Sequence, residues 1–167
     1  MFRSVVAALS LLLLTACAKD AAAPTESGAV AADTASLALS FQASAGLNPG
    51  LGGQPAPVRV RIFELRNAAS FNRADYFSLV ERAQATLGAD LIDQDEVLLQ
   101  PGQQLNIERS LNPATRHVGL VVGYREIDQA QWRAVLDIAP RQPGHYQISL
   151  DVRAVRTAVA TPTRPAQ

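Results

Sequence analysis

Few side chains in this 167-residue chain could do chemistry, and their spacing limits what that chemistry could be. The one cysteine, Cys17, ends a leucine run at Leu11 to Leu14; with no second thiol it supports neither an intramolecular disulfide nor a cysteine metal site. The only histidines, His117 and His145, lie at the margins of apolar runs and fit no H-x-x-x-H or related ligand spacing, so they read as structural or solvated. Ser110, beside Glu108 and Arg109, lacks a histidine near it in sequence, and no G-x-S-x-G nucleophile elbow occurs. Asp90, Asp93, Asp95 and Glu96 form an acidic cluster without the glycine and spacing of a calcium loop, which leaves a solvated turn. In "GYREID", Gly123 to Asp128, Arg125 could pair with Glu126 or Asp128 as a structural ion pair. Acid, base and nucleophile do not assemble anywhere, and the expectation is a protein that is not an enzyme, with no metal and no cofactor.

The cysteine acquires a role from what precedes it. Arg3 supplies a positive start, Val5 to Leu14 an apolar stretch, and Thr15-Ala16 the small residues a signal peptidase needs before its cut. The apolar stretch is about half of the roughly 20 residues needed to span a bilayer. Leu14-Thr15-Ala16-Cys17 resembles the lipobox of bacterial lipoproteins, in which the cysteine sulfur receives a diacylglycerol, the signal is cut before it, and the new amine is acylated. Residues 1–16 are then the signal peptide and Cys17 the lipidated N-terminus. Each buried methylene contributes about 0.8 kcal/mol, so two or three acyl chains hold a protein on a membrane without a spanning helix. Ala18 stands where an inner-membrane retention aspartate would be, which points to the periplasmic face of the outer membrane.

Behind the anchor, length and charge indicate one domain of about 150 residues. With 15 basic and 15 acidic residues in balance, no nucleic-acid footprint or polybasic membrane patch is expected. Residues 17–35, mostly "AKDAAAPTESGAVAADTA", read as a flexible leash with a span of about 25 Å. Residues 156–167 read as a flexible tail, leaving 36–155 as the domain.

That domain is mainly β. Leu37, Leu39 and Phe41 alternate with polar or small residues, as do Val58, Val60 and Ile62, then Leu105 and Ile107, then Trp132 to Ile138, then Tyr146 to Ala154. Beyond Ile62, Phe63 and Leu65 switch faces, which indicates a bulge or burial on both sides. Val118 to Tyr124 is apolar on both faces, as a central strand is. Pro-Gly turns at Pro101-Gly102 and Pro143-Gly144 favour a sandwich. One helix is expected between strands, with Asp75 as N-cap, Tyr76, Leu79, Val80, Ala83 and Leu87 at helical spacing, and Gly88 as its stop. Between the first two strands runs "SAGLNPGLGGQPAPV", residues 44 to 58, where three glycines and two prolines follow Asn48-Pro49. Loops of this length without secondary structure of their own are uncommon unless they carry a function.

Asn48-Pro49, Gly53 and Pro55-Ala56-Pro57-Val58 leading into "VRVRIFEL" resemble the outer-membrane lipoproteins of bacterial type VI secretion systems, the TssJ (SciN, VasD) family. "SFNRADYFSLVERAQATLGADLI", "LLQPGQQL" and "HVGLVVGYREIDQAQWRAV" are similar to that family in wording and order, so the resemblance runs from about Leu37 to Val152. It implies a transthyretin-like two-sheet β-sandwich with a short helical insertion and an extended loop between strands 1 and 2. It also implies a partner: the periplasmic C-terminal region of the inner-membrane TssM (IcmF-like) protein, itself associated with TssL. Carried onto this chain, the recognition loop is Leu47 to Pro57, with Leu47, Asn48, Pro49, Gly53, Gln54, Pro55 and Pro57 as contact residues. Gly50-Leu51-Gly52-Gly53 is more glycine-rich and less polar than the family pattern. A generic periplasmic lipoprotein, acting as a pilotin or ligand-binding module, is the alternative.

Overall fold

In the computed structural model, which describes residues 35–160, the alternating runs of the sequence become eight strands. They are β1 (Ser36–Ala43), β2 (Val58–Leu65), β3 (Leu91–Leu99), β4 (Gln104–Ser110), β5 (His117–Val122), β6 (Arg133–Asp137), β7 (Gly144–Leu150) and β8 (Val155–Val159). Two four-stranded sheets result, ordered β4-β1-β7-β8 and β3-β2-β5-β6. All pairings are antiparallel except β1 with β7, which run parallel from Leu37 opposite Gly144 to Ala43 opposite Leu150. The signal peptide, Cys17, nearly all of the leash and the end of the tail lie outside the described residues.

The inward-facing residues of the two sheets form the main core. Leu37, Leu39 and Phe41 of β1 pack in one cluster with Val58, Val60 and Ile62 of β2 and with Val118, Leu120 and Val122 of β5, all removed from water. Alternation in a strand puts every second residue on that face, and burial of each such side chain stabilises the fold by about 1.5–3 kcal/mol. The face switch in β2 is both a register irregularity and two-sided burial. Pairing with β3 shifts between Glu64 and Leu65, and Phe63 and Leu65 enter a second cluster on the outer face of the sheet. There they meet Phe71, Leu79 and Leu87, supplied by the helical insertion.

Where one helix is expected from Tyr76 to Leu87, two short ones form, α2 (Tyr76–Glu81) and α3 (Ala83–Leu87), and a further short helix, α1 (Ala69–Arg73), precedes them. Asp75 caps α2 through its carboxylate, which accepts from the Ser78 amide at 2.9 Å. The break follows at Arg82, whose backbone (φ −137°, ψ 38°) leaves the helical region. The Ser78 carbonyl accepts both the Arg82 amide, at 3.1 Å, and the Thr86 hydroxyl from across the break, at 3.0 Å. Bending there lets Leu79, Ala83 and Leu87 all reach the sheet.

Three other expectations are corrected. The acidic cluster is no solvated turn: Asp93, Asp95 and Glu96 lie in edge strand β3, exposed but held by cross-strand charge. Glu96 meets Arg59 at 3.6 Å and Arg61 at 3.5 Å, and Asp93 meets Arg109 at 3.4 Å. The flexible tail does not begin at Arg156, because the alternation running to Ala154 is interrupted after Leu150. The chain turns, with the Asp151 amide donating to the Ala154 carbonyl at 2.8 Å, and returns as β8 against β7 with Val155 buried. Finally, Glu126 pairs with Arg153 at 2.6 Å rather than with Arg125.

Among the described residues, Glu64 is the charged residue buried as a whole. Glu64 is 3% exposed; it accepts from the Thr115 hydroxyl at 2.8 Å and the Asn112 amide at 3.2 Å, with Arg109 Nε at 3.5 Å. It links β2 to the β4–β5 connection and to the opposite sheet. Breaking such a group from its partners leaves an uncompensated buried charge.

Gly119 of β5 lies beneath the Phe71 ring so closely that a Cβ there would fall 2.6–2.9 Å from three ring carbons. Gly119→Ala is therefore expected to displace Phe71 and lower stability by about 1–3 kcal/mol, read as a reduced urea midpoint at unchanged slope.

Candidate partner-binding loop

At the end of β1 the chain crosses from one sheet to the other through residues 44–57. The crossing is anchored before it projects. The Ser44 amide donates to the Leu150 carbonyl at 2.8 Å, and Leu47 closes a turn onto the Ser44 carbonyl at 3.2 Å while its side chain, fully buried, joins the main core. Asn48, 4% exposed, is held three ways. Its amide donates to the Val152 carbonyl (3.1 Å), its Nδ2 to the Pro57 carbonyl (2.9 Å), and its Oδ1 accepts from the Arg125 amide (2.8 Å). Its φ of +49° is one that asparagine tolerates better than most residues.

Beyond Asn48 the loop folds back on itself. The Gly50 amide donates to the Gln54 carbonyl at 3.0 Å, Gly53 returns to the Gly50 carbonyl at 2.8 Å, and the Ala56 amide donates to the Leu47 carbonyl at 3.0 Å. Gly53 turns at φ +73°, which a side chain would strain. Leu51, Gly52, Gly53, Gln54, Pro55 and Pro57 are exposed, Pro49 is half-buried and Ala56 buried.

This separates the residues read from the sequence into two groups. Gly53, Gln54, Pro55 and Pro57 are exposed and Pro49 is half-buried, so all five leave surface for a partner. Leu47 and Asn48 do not: they face inward, where an apolar chain fills the core and a carboxamide satisfies backbone groups, so they position the loop and offer a partner almost no surface. Leu51, at the tip and fully exposed, is the large apolar side chain that a partner could bury. Its signal in the sequence is its isolation among glycines. Arg125 has no such signal; it comes from the β5–β6 connection, and its guanidinium packs so near Gly50 that a Cβ there would lie 2.6 Å from Nη1. Pro49, Gly50, Leu51, Arg125 and Glu126 line a hollow of about 190 Å³.

The base of the loop rests on Tyr124, 4% exposed, whose hydroxyl donates to the Asp151 carbonyl at 3.3 Å. Burial, then the Asp151 charge, raises its pKa well above the ordinary tyrosine value, so it remains a neutral donor. Elsewhere, His117 Nδ1 lies 2.9 Å from Asp137 across β5 and β6, and His145 is exposed on β7. Among the described residues no three His, Cys, Asp or Glu side chains are placed to hold a metal ion, and no helix is long and apolar enough to cross a membrane.

The fold is a two-sheet sandwich that projects a loop stiffened by its own turns. Residues 35–154 match the model of the family described as type VI secretion lipoprotein, VasD, EvfM, TssJ, and the chain belongs to that family. Among solved structures it is similar to the type VI lipoprotein TssJ1 of Pseudomonas aeruginosa, at 42% identity and TM-score 0.76, covering 78% of this chain and 99% of that one. It is also similar to Serratia marcescens Lip, described as a membrane-bound component of the type VI secretion system, at 28% identity and TM-score 0.69, covering 75% and 98%. A third match, at 30% identity and TM-score 0.61, covering 75% and 98%, is to a chain in a structure described as the TssM C-terminal domain from EAEC. No curated protein matches the chain by sequence. The protein is thus a type VI secretion lipoprotein with the mostly β, two-sheet fold of its relatives.

Asn48→Ala removes two hydrogen bonds and leaves the Pro57 carbonyl and Arg125 amide to find other partners. It is expected to cost about 1–3 kcal/mol and to speed hydrogen exchange at the Gly50 and Ala56 amides before the core strands.

Proposed function

We propose that this protein is anchored through lipid on Cys17 to the periplasmic face of the outer membrane, and that its 47–57 loop binds the periplasmic C-terminal domain of a TssM-like inner-membrane protein, and through it TssL. The observation that carries the reading is the loop itself, held in shape by Asn48 and by its own turns while it leaves Leu51, Gln54 and Pro55 in solvent. Family membership supports it, as does the likeness to a chain from a TssM C-terminal domain structure.

The direction of β1 fits such a bridge. The chain enters the domain at Ser36, and the loop leaves from Ala43 at the far end of the same strand, about 23 Å away at roughly 3.3 Å per residue. A tether arriving at one pole therefore presents the loop at the other. Hydrogen-bonded turns and prolines reduce the conformational freedom the loop must lose on docking, which supports affinity from a modest contact area. Burying Leu51 in a partner's pocket would add about 1.5–3 kcal/mol.

Replacing Leu47 to Pro57 with a short Gly-Ser turn is expected to abolish binding to the TssM-like domain in biolayer interferometry. Leu51→Asp, whose side chain touches no core residue, is expected to weaken binding at least tenfold while circular dichroism is unchanged. Unaltered binding by both variants would remove the loop from the interface. For the anchor, Cys17→Ser is expected to end incorporation of labelled palmitate and to move the protein from the membrane to the soluble fraction; persistent labelling would overturn lipidation at that residue.

A further inference from the structure

A second hollow, of about 270 Å³, opens where α2 meets the β5–β6 connection. Its walls include Tyr76, Phe77 and Trp132, with Asp75 and Asp128 at its margin. Tyr76 is the central ring: it meets Phe77 edge-on at 5.3 Å and 84°, and Trp132 edge-on at 5.5 Å and 81°. Phe77 is 58% exposed, so the fold uses little of its surface. Asp75 lies at the helix cap, where the Ser78 hydroxyl and then the Ser78 amide hold its carboxyl below the usual carboxylate range. Asp128 is exposed and has no ion-pair partner among the described residues. Trp132 already stacks one guanidinium, that of Arg133 at 4.8 Å. That cation is tied to the carbonyls of Phe71 and Ala74, both at 2.9 Å, and does not line the hollow.

We propose that this hollow receives a cationic side chain, an arginine guanidinium, from a protein segment docking beside the loop. The faces of aromatic rings attract cations through their quadrupole, arginine more often than lysine, and the two carboxylates add an attraction of the same sign. An anionic group would be repelled by both carboxylates, and an aliphatic one would desolvate them without return. The site adjoins the loop surface: Arg125 and Glu126 line the hollow against Leu51, and the next residues, Ile127 and Asp128, line this one. A single partner can therefore span both, although the inference does not depend on what the loop binds.

Trp132 is the chain's one tryptophan, so its emission reports directly on the site. The full chain in detergent micelles would be titrated with acetyl-Gly-Arg-Gly-amide and, in parallel, with the peptide carrying citrulline in place of arginine, which keeps the shape and removes the charge. The expected result is a saturable change in emission with the arginine peptide in the millimolar range and none with citrulline. Phe77→Ala and Asp128→Asn should each weaken it at least about five-fold without altering circular dichroism. A flat titration, an equal response to citrulline, or a response that neither variant changes would overturn the proposal.

Discussion

The Asn48 carboxamide is the constraint on which the displayed surface depends. Its two ends and its own amide reach three different stretches of chain: Pro57 at the return of the loop, Arg125 in the β5–β6 connection and Val152 in the β7–β8 turn. The last two are also tied to each other, by the Glu126–Arg153 pair and the Tyr124–Asp151 hydrogen bond, and Asn48 joins the loop to both. Because the Asn48 carboxamide is itself buried, its own donor and acceptor depend on these hydrogen bonds rather than on water. Leu47 strengthens the arrangement by inserting into the core beside it. The loop thus costs the fold some buried polar surface and gains a defined shape.

The rest of the domain is built to keep that pole fixed. β2 is the shared wall: its inner residues belong to the sandwich core, and Phe63 and Leu65 belong to the cluster under the helices. The insertion, which looks peripheral in sequence, therefore packs on the same strand that receives the loop. At the opposite end of β2, Glu64 ties the β4–β5 connection and Arg109 to the sheet. With Cys17 the single thiol, these packing and polar ties take the place of the disulfides common in exported domains of modest size.

Much of this was legible in the sequence because burial on one face leaves a period of two. β1, β2, β4, β6 and the first half of the last hairpin announced themselves that way, while β5 and the face switch at Phe63 were marked instead by apolar residues on both faces. What failed did so for identifiable reasons. β3 carries exposed acids that pair laterally with arginines of neighbouring strands, so it lacks the alternation that marks a half-buried strand. β8 is an edge strand in which Val155 alone is fully buried, and the short turn before it falls within a run that alternates without interruption in sequence. Helical spacing from Tyr76 to Leu87 survived the break at Arg82, because the bend preserves the inward face. At the loop, sequence revealed the segment but not its orientation. Leu47 and Leu51 are the same residue type four positions apart, and only tertiary contacts send one into the core and the other into solvent.

That orientation has a mechanical corollary in the proposed bridge. A tether pulling at Ser36 and a partner pulling at the loop would load β1 along its own axis. β1 is the interior strand best placed to bear it, paired with β4 from Ser36 to Gln42 and with β7 from Leu37 to Ala43. Force along a strand flanked on both sides acts on its rungs together, in shear, whereas force across an edge strand opens them one at a time. The Ser44–Leu150 and Asn48–Val152 hydrogen bonds extend the link to β7 past the end of the strand and into the loop, so the base of the contact surface is held by the ladder that bears the load. If the proposed bridge forms, an interior strand with the chain's entry at one end and the loop at the other would carry such a load in shear, independent of the loop's chemistry.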